Sequence, residues 1–354
     1  MKKRRKLALI PAILGILLIA CFVVYQIQVQ PMDKTSHADI EVMIPSGMST
    51  DEIGNLLHEK GLIRSPLFFK IYLKINGSSH MKASTYLLQK SMSLDKIVET
   101  LEQGATSNQE TIELTFKEGE NVEDYAKMLA KETNLTEEGF LGTINDRELL
   151  NQWIETYWFL TTDILQGDIY YALEGYLAPD TYFFANKNVT AEEVITTLLD
   201  QEEKNLEPYK SALQKENIHE IITMASIAEL EGVTSEDRKM IVGVFENRLA
   251  QGMNLGSDVT TYYAFHQDMT GDLSASMFQT YNPYNTRSSA MAGKLPIGPI
   301  CNPSTESIEA ALNPTANDYL YFVADKNGKI YYTKTMAEHE KQIAEIKENG
   351  DWIW

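Results

Sequence analysis

The sequence predicts a mixed α+β protein with a single amino-terminal transmembrane helix, a small βααβ module and a larger mixed α+β catalytic domain. Three observations lead to this prediction. A basic cluster and a long apolar run open the chain, strand-like and helix-like patterns of apolar residues alternate after them, and one strand–turn–helix pattern recurs. At 354 residues the chain is long enough for two or more domains with full hydrophobic cores.

The amino-terminal segment has the composition of a membrane anchor. Residues 1–6 form a basic tail, and residues 7–26 are uncharged and mostly apolar, which as a helix is long enough to cross a ~30 Å hydrocarbon layer. The basic flank predicts a cytoplasmic amino end, so everything after the polar stalk at 27–38 is expected outside the membrane. A lipid anchor at Cys21 is the alternative, while a cleaved signal is disfavoured because the apolar run continues past Cys21.

The charge balance and the cysteine count exclude several classes of protein. The chain has 31 Lys and Arg against 50 Asp and Glu, so neither nucleic acid nor an anionic lipid surface is expected as the main partner. Cys301 is the only cysteine outside the apolar segment, which rules out an intramolecular disulfide in the exported part. No His/Cys cluster has metal-ligand spacing and no Gly-rich phosphate loop occurs, so no metal and no cofactor are predicted.

Residues 39–106 are predicted to form the small module. Alternating apolar residues in Asp39–Ile44 indicate a strand, and Ser49 or Thr50 can cap a following helix that Gly61 ends. The size and the βααβ order of this module are similar to those of LysM-type modules, which bind glycan chains.

Parts of this module recur later in the chain. Ile112–Gly119 and the helical pattern after it match the chain from Ile40 onwards, which predicts a second LysM-like strand–helix unit near 110–132. A second pairing matches Thr85–Leu101 with Thr181–Leu198. The repeats indicate duplicated α+β modules, with convergent strand–turn–helix patterning as the alternative.

The larger domain, 107–354, is organised around Ile221–Gly232, an apolar helix pattern that ends in carboxylates. Asn217 can cap the start of this helix and Gly232 can end it in the left-handed conformation, which predicts a helix from about Ile218 to Glu231. The helix dipole places partial negative charge at its carboxyl end, which favours the protonated form of a carboxyl group there.

Glu229 and Glu231 point in directions about 200° apart on such a helix, so they cannot both face one cleft. Glu231 continues an apolar stripe through Met224 and Ile227, which makes it the better candidate for a desolvated acid. Ile222 lies behind Glu229 in a similar way, and two solvated acids at a frayed helix end remain the alternative.

Two loop-like segments have the composition of sugar-binding loops. Ala172–Tyr182 carries aromatic and acidic residues around a Gly and a Pro, although plain turns also have this composition. Tyr281–Asn302 is long and contains aromatic residues and prolines, which favours a functional loop. Asp258 is a natural cap for a short helix between them, and Asp325–Gly328 predicts a hairpin.

Seven motifs occur in an order and spacing that are specific when taken together: Met224–Glu231, Glu174–Leu177, Pro179–Tyr182, Asn247–Leu249, Ser257–Asp258, Tyr284–Thr286 and Leu295–Ile300. They resemble the endolytic murein transglycosylases of the MltG (YceG-like) family over nearly the whole chain. The resemblance implies a lyase of the bacterial cell membrane, single-pass, with its catalytic part outside the cytoplasm. It also implies cleavage of MurNAc–GlcNAc β-1,4 bonds within nascent peptidoglycan strands, leaving 1,6-anhydroMurNAc ends and terminating glycan elongation.

Carried onto this sequence, the catalytic glutamate of the family falls on Glu231, in agreement with the helix argument. The chain departs from the family pattern at Leu230, where a basic residue is usual, and at Ala178, where a bulky aromatic residue is usual. Four residues are predicted to bind or position the substrate: Asp258, Tyr176, Asn285 and Glu174.

A single acid is enough for a lytic transglycosylase, because the C6 hydroxyl of the sugar attacks its own anomeric carbon, whereas a hydrolase normally needs two carboxylates. Glu231 is expected to protonate the glycosidic oxygen and then to accept the C6 hydroxyl proton. The alternatives are a muramidase that pairs Glu231 with Glu174 or Asp258, and a non-catalytic glycan-binding scaffold. The expected partners are peptidoglycan strands, with a place beside cell-wall synthases as a family expectation.

Overall fold

The computed structural model describes residues 25–45, 48–76, 81–82, 84–104 and 112–352, and within them the protein is mixed α and β, as predicted. The predicted basic tail and nearly all of the predicted transmembrane helix, Cys21 included, lie outside the described residues. In the part of the chain that is described, no helix is both long and apolar enough to span a bilayer.

The chain divides into two compact units. One contains the described residues up to Leu114 together with Thr181–Lys187, and the other contains Thr115–Asp180 and the chain from Asn188 onwards. The predicted boundary between the small module and the larger domain falls in 105–111, outside the described residues.

The first unit has the predicted βααβ order. Its elements are β1 (Asp39–Ile44), α1 (Thr50–Glu59), α2 (Pro66–Asn76), β2 (Ser84–Gln89) and α3 (Leu94–Gln103). β1 and β2 are antiparallel, from Asp39 opposite Gln89 to Ile44 opposite Ser84. The apolar faces of these elements form one core that includes Val42, Leu57 and Phe69. The similarity to LysM modules stays a prediction.

The strand–helix units predicted from the repeats are all present. β3 (Ile112–Phe116) is followed by α4 (Val122–Glu132), α5 (Glu137–Ile144) and α6 (Arg147–Thr156), and β4 (Asp180–Phe184) is followed by α7 (Ala191–Leu206). β3 and β4 form a two-stranded sheet, as β1 and β2 do.

The remaining elements belong to the second unit: α8 (Lys210–Leu213), α9 (Ile218–Glu231), α10 (Ser235–Ala250), α11 (Asp258–Ala264), α12 (Ala275–Gln279), α13 (Thr305–Leu312), β5 (Tyr321–Ala324), β6 (Ile330–Thr333) and α14 (Met336–Glu348). β5 and β6 form the predicted hairpin, in which Gly328 has a φ of +79°.

The central helix α9 has the predicted bounds, and Asn217 caps it by accepting a hydrogen bond from the backbone N–H of Glu220. Its middle is apolar and fully buried, and it packs against α10 and α13. The prediction for Gly232 is wrong, because its φ is −103° and not left-handed. Glycine is required there for space, since a Cβ atom would lie 2.6 Å from Cγ of Arg238.

The segment 172–178, predicted to be a sugar-binding loop, is instead buried next to α9. Gly175 has a φ of +86°, and a Cβ atom there would lie 2.5 Å from Pro299 and 2.9 Å from Ile222. Oδ1 of Asn302 accepts hydrogen bonds from two backbone N–H groups of this segment, at 3.0 and 3.1 Å. The aromatic and acidic residues of this segment therefore serve packing, which local composition does not reveal.

The chain around 300–302 runs along the same helix. The N–H of Ile300 donates to Oγ of Ser226 at 3.0 Å, and Sγ of Cys301 donates to the carbonyl oxygen of Ser226 at 3.2 Å. These contacts fix the loop against the middle of α9, and Cys301 is buried beneath it.

Candidate active site

The carboxyl end of α9 presents Glu231, whose side chain has one hydrogen-bond partner. Oε1 of Glu231 accepts a hydrogen bond from Oγ of Ser257 at 2.6 Å. Burial raises the pKa of Glu231 to about 7; the hydrogen bond from Ser257 and the positive charge of Arg287 act against that rise, and the negative charge of Asp258 adds to it. The carboxyl group can therefore both give up and accept a proton near neutral pH.

Glu229, two residues earlier, is held on a different side of the helix. Its Oε1 accepts from Nη2 of Arg238 at 2.9 Å, and its Oε2 accepts from the backbone N–H of Ser304 at 2.9 Å and from the hydroxyls of Ser304 and Ser307 at 2.6 Å. These hydrogen bonds fix the position of the Glu229 side chain. The predicted separation of the two carboxylates is confirmed, and Glu229 is a structural anchor between α9 and α13.

Ser257 is the residue that sequence reasoning missed. It occupies the N-cap position of α11, where Asp258 was predicted, yet its hydroxyl makes no capping hydrogen bond. That hydroxyl is directed to Glu231 instead. The sequence pattern assigned the cap to Asp258 and no role to Ser257, so only its place in the Ser257–Asp258 motif marked it.

The loop before α11 is fixed by a small network of threonines. The N–H of Ser257 donates to Oγ1 of Thr286 at 3.1 Å, and the hydroxyls of Thr286 and Thr260 are 2.7 Å apart. Nδ2 of Asn254 donates to the carbonyl oxygen of Thr286 at 3.1 Å. The position of the Ser257 hydroxyl is therefore set by buried contacts rather than by a free loop.

Asp258 is the predicted substrate residue that the structure leaves accessible beside Glu231. Its side chain is 54% exposed, and Oδ1 lies 3.1 Å from Nε of Arg287. Nη1 of Arg287 donates to the carbonyl oxygen of Gly256 at 3.1 Å. Asp258 and Arg287 thus form an exposed ion pair at the amino-terminal end of α11.

The other three predicted substrate residues, Tyr176, Asn285 and Glu174, are at most 1% exposed. They have no surface that a glycan could touch, so their predicted direct contact with substrate is corrected. Each has protein partners for its polar atoms, which burial requires. Their hydrogen bonds show that they position the backbone around the site.

Glu174 binds the start of α4. Its carboxylate accepts from the N–H of Val122 at 3.1 and 3.2 Å, from the hydroxyl of Tyr263 at 3.1 Å and from Nδ2 of Asn302 at 3.3 Å. Burial raises its pKa to about 8 in spite of these donors. A raised pKa alone therefore does not identify a catalytic acid in this protein.

Tyr176 forms a buried pair with His219 on α9. Nε2 of His219 lies 2.8 Å from the carbonyl oxygen of Ile297, which can only accept, so this nitrogen carries the proton. Nδ1 then accepts from the hydroxyl of Tyr176 at 2.8 Å. Burial lowers the pKa of His219, which keeps the ring neutral.

Asn285 fixes the turn that carries Arg287. Its Oδ1 accepts from Oγ1 of Thr261 at 2.8 Å, and its Nδ2 donates to the carbonyl oxygens of Met277 and Thr280 at 2.8 and 2.7 Å. The N–H of Arg287 points to the same Oδ1 at 3.3 Å.

Among the described residues, no group of three or more His, Cys, Asp and Glu could hold a metal ion.

Comparisons with known proteins agree with the resemblance. A sequence model of the YceG-like family matches residues 42–345. The chain is 35% identical over 317 residues to an endolytic murein transglycosylase of Bacillus subtilis strain 168, covering 88% of this chain and 86% of that one. It is 35% identical over 337 residues to an endolytic murein transglycosylase of Streptococcus pneumoniae serotype 2, covering 89% of this chain and 60% of that longer one.

A crystal structure of a putative YceG-like protein from Listeria monocytogenes has a similar fold. It is 36% identical in sequence and superposes with a TM-score of 0.61, covering 86% of this chain and 99% of the other. The family match spans well over half of the chain and the relatives match over most of it. This chain belongs to the YceG-like family.

Proposed function

We propose that this protein is a membrane-anchored peptidoglycan lytic transglycosylase that cuts MurNAc–GlcNAc β-1,4 bonds inside nascent glycan strands. The observation that carries the proposal is the environment of Glu231, a carboxyl group with a pKa raised to about 7 and a single hydrogen-bond partner. Relatives that are 35% identical are named endolytic murein transglycosylases, which supports the same reaction here.

Glu231 acts first as a general acid and then as a general base. Protonated Glu231 gives its proton to the glycosidic oxygen while the C1–O4 bond breaks. The C6 hydroxyl of the same muramyl residue then bonds to C1, and its proton goes to the Glu231 carboxylate. Atoms balance without water, the product ends in a 1,6-anhydro ring, and the acid is regenerated.

Ser257 prepares Glu231 for both steps. Its hydroxyl holds Oε1 in place and stabilises the carboxylate that exists between the two proton transfers. The exposure of Asp258, which is next in sequence, supports a role in contacting the sugar beside the broken bond.

A hydrolase that uses Glu174 as a second carboxylate is not supported, because Glu174 is sealed in the protein and its oxygens are hydrogen-bonded. A hydrolase that uses Asp258 would give a different product. Its strands would end in a reducing sugar after the uptake of water.

The proposal also includes the anchoring of the protein in the membrane and the termination of glycan strand growth. The apolar run at 7–26 with its basic flank supports a single membrane span with the catalytic part outside the cytoplasm. Internal cuts made at the membrane surface act on strands while they are being polymerised, which terminates their growth and places the protein near cell-wall synthases.

The test is mass spectrometry of fragments released from uncrosslinked glycan strands by wild type, by Glu231→Gln and by Glu236→Gln. Glu236 is an exposed glutamate on the neighbouring helix, so it is a matched control for the same substitution. We expect anhydro-muramyl ends from wild type and from the control, and a rate for Glu231→Gln that is lower by about 10²–10⁴-fold.

Each other outcome has a defined meaning. Reducing ends from wild type would show a hydrolase, and unchanged anhydro ends from Glu231→Gln would remove Glu231 from the reaction. A wild-type protein that binds the strands and cuts none of them would favour a scaffold.

A further inference from the structure

Arg248, near the carboxyl end of α10, has no acidic partner. Of the arginines in the described part of the chain, it is the one whose side chain makes no hydrogen bond and no ion pair with the protein. Its Nε is buried without a partner. A guanidinium group left unpaired in a partly buried position is costly, which makes Arg248 a candidate anion-binding residue.

The surroundings of Arg248 explain its placement but supply no counter-charge. The guanidinium lies over the ring of Tyr321, 5.3 Å from the ring centre. This contact can orient the group through a cation–π interaction but does not satisfy its N–H donors. Burial lowers the pKa of the nearby His339 ring, and the positive charge of Arg248 adds to this effect.

Arg248 and Arg287 flank the same residue of the loop that carries Ser257. Gly256 has a φ of +67°, and a Cβ atom there would lie 3.4 Å from Nη2 of Arg248. Nη1 of Arg287 donates to the carbonyl oxygen of the same glycine at 3.1 Å. The next residue, Ser257, binds Glu231 at 2.6 Å. Two guanidinium groups therefore lie close to Gly256, the residue that precedes Ser257.

One of these two cations is already partly neutralised. Nε of Arg287 is 3.1 Å from Asp258, whereas Arg248 has no carboxylate. The site thus has an unmatched positive charge in a chain with a formal net charge of −19. An anionic ligand is attracted by this local positive charge, whereas the rest of the acidic protein repels it.

We propose that Arg248, assisted by Arg287, binds a carboxylate of the peptide that a peptidoglycan strand carries, and that this contact selects strands with acidic peptides. The inference rests on the proposed function. MurNAc carries its peptide on C3, two carbons from the C1 at which the bond is cut. Because an extended peptide spans ~3.3–3.6 Å per residue, its first acidic groups lie within two or three residues of the sugar held at Glu231. Planar guanidinium groups match carboxylates in geometry as well as in charge.

The experiment compares two substrates with the full-length protein. One is uncrosslinked strands with free peptide carboxylates, and the other is the same strands after carbodiimide coupling to ammonia, which converts the carboxylates to neutral amides. The rate of formation of anhydro ends is measured at limiting and at saturating strand concentration. Bulk repulsion from an acidic protein predicts faster cleavage of the neutral strands, so a preference for the acidic strands is diagnostic.

For wild type we expect kcat/KM to fall roughly tenfold on the amidated strands, the size of one charge-assisted contact, with a smaller change in kcat. Arg248→Gln is expected to cut both substrates at the same low kcat/KM. Arg248→Lys, which keeps the charge but not the planar fork, is expected to keep part of the preference. The control Lys341→Gln removes an exposed positive charge on α14, and we expect it to keep the wild-type ratio.

Equal wild-type rates on the two substrates would overturn the carboxylate site, whether or not Arg248→Gln folds. A wild-type ratio retained by a folded Arg248→Gln protein would overturn the role of Arg248. Absence of anhydro ends from both substrates would overturn the proposed function and, with it, this site.

Discussion

Glu229 and Glu231 lie two residues apart in the last turn of one helix, and their surroundings differ in almost every respect. Glu229 accepts four hydrogen bonds, one of them from the partly buried Arg238. Glu231 accepts one, from a neutral hydroxyl, and burial raises its pKa to about 7. The helix dipole acts on both carboxylates, so the difference between them comes from their neighbours and not from the helix.

The comparison shows how a single helix turn can combine anchoring with chemistry. The Glu229 side joins α9 to the first turn of α13, where Ser304 is the N-cap. That attachment fixes the end of α9 and so fixes the neighbouring Glu231 carboxyl. Substitutions on the two sides should therefore separate stability from rate.

The largest expected effect on stability comes from Glu229→Ala. The change leaves the charge of Arg238, whose side chain is 12% exposed, and three further donors without their acceptor. Breaking a buried pair in this way costs about 3–5 kcal/mol. We expect a lower thermal transition, measured by circular dichroism, whereas Glu231→Gln should not lower the transition, because burial disfavours the ionised form of Glu231.

The control for Glu229→Ala is Glu306→Ala, which removes the other carboxylate near Arg238. Glu306 is 68% exposed and 3.5 Å away, so the expected loss is below about 1 kcal/mol. Similar melting of Glu229→Ala and wild type would refute the anchoring role.

A smaller effect is expected for Glu174→Gln, which tests whether a second carboxyl with a raised pKa takes part in the reaction. The folded pKa of about 8 lies above the unfolded value near 4.5, so Glu174 stabilises the fold at low pH and this contribution is lost as pH rises towards 8. Relative to wild type, Glu174→Gln should therefore gain stability between pH 5 and 8, by at least about 1 kcal/mol.

The same variant should still release anhydro ends, because Glu174 is sealed from substrate. Chemical denaturation at pH 5 and at pH 8 measures the stability difference, and mass spectrometry identifies the product. A folded Glu174→Gln protein that cuts no strands would show that the reaction requires Glu174.

The smallest effect is expected for Ser257→Ala. This substitution removes the one hydrogen bond that Glu231 accepts and so increases the difference between the surroundings of Glu231 and Glu229. Wild-type activity should fall above about pH 7, as the acid ionises. The hydrogen bond from Ser257 favours the ionised form, so its loss should move the fall in activity to higher pH. The rate at pH 7 should change by no more than about tenfold.

Ser257→Ala should leave α11 intact, because the hydroxyl makes no capping hydrogen bond. A pH–rate profile with wild type beside the variant checks the prediction. A shift to lower pH would contradict the assigned hydrogen bond.

Local patterns were enough to predict several elements of this fold. The bounds of α9, its Asn217 cap and the hairpin at Asp325–Gly328 all depend on residues within a few positions of one another. The choice of Glu231 over Glu229 also followed from helix geometry, since direction on a helix is a local property.

Burial could not be predicted in the same way, because it depends on residues that are distant in sequence. Tyr176 and Glu174 had the composition of a sugar-binding loop, but Asn302 and Pro299 close over that segment from more than 120 positions away. Gly232 was expected to adopt a positive φ, whereas its lack of a side chain is required by Arg238 in the next helix.

The reactivity of the buried Cys301 thiol beneath α9 can be used to measure local opening of this region. Sγ of Cys301 is hydrogen-bonded to the middle of the helix, and burial raises the pKa of the thiol well above its ordinary value. Since only the thiolate reacts with alkylating reagents, labelling of Cys301 requires the loop to lift away from α9. The rate at which the peptide containing Cys301 is alkylated therefore reports how often this loop separates from the middle of α9.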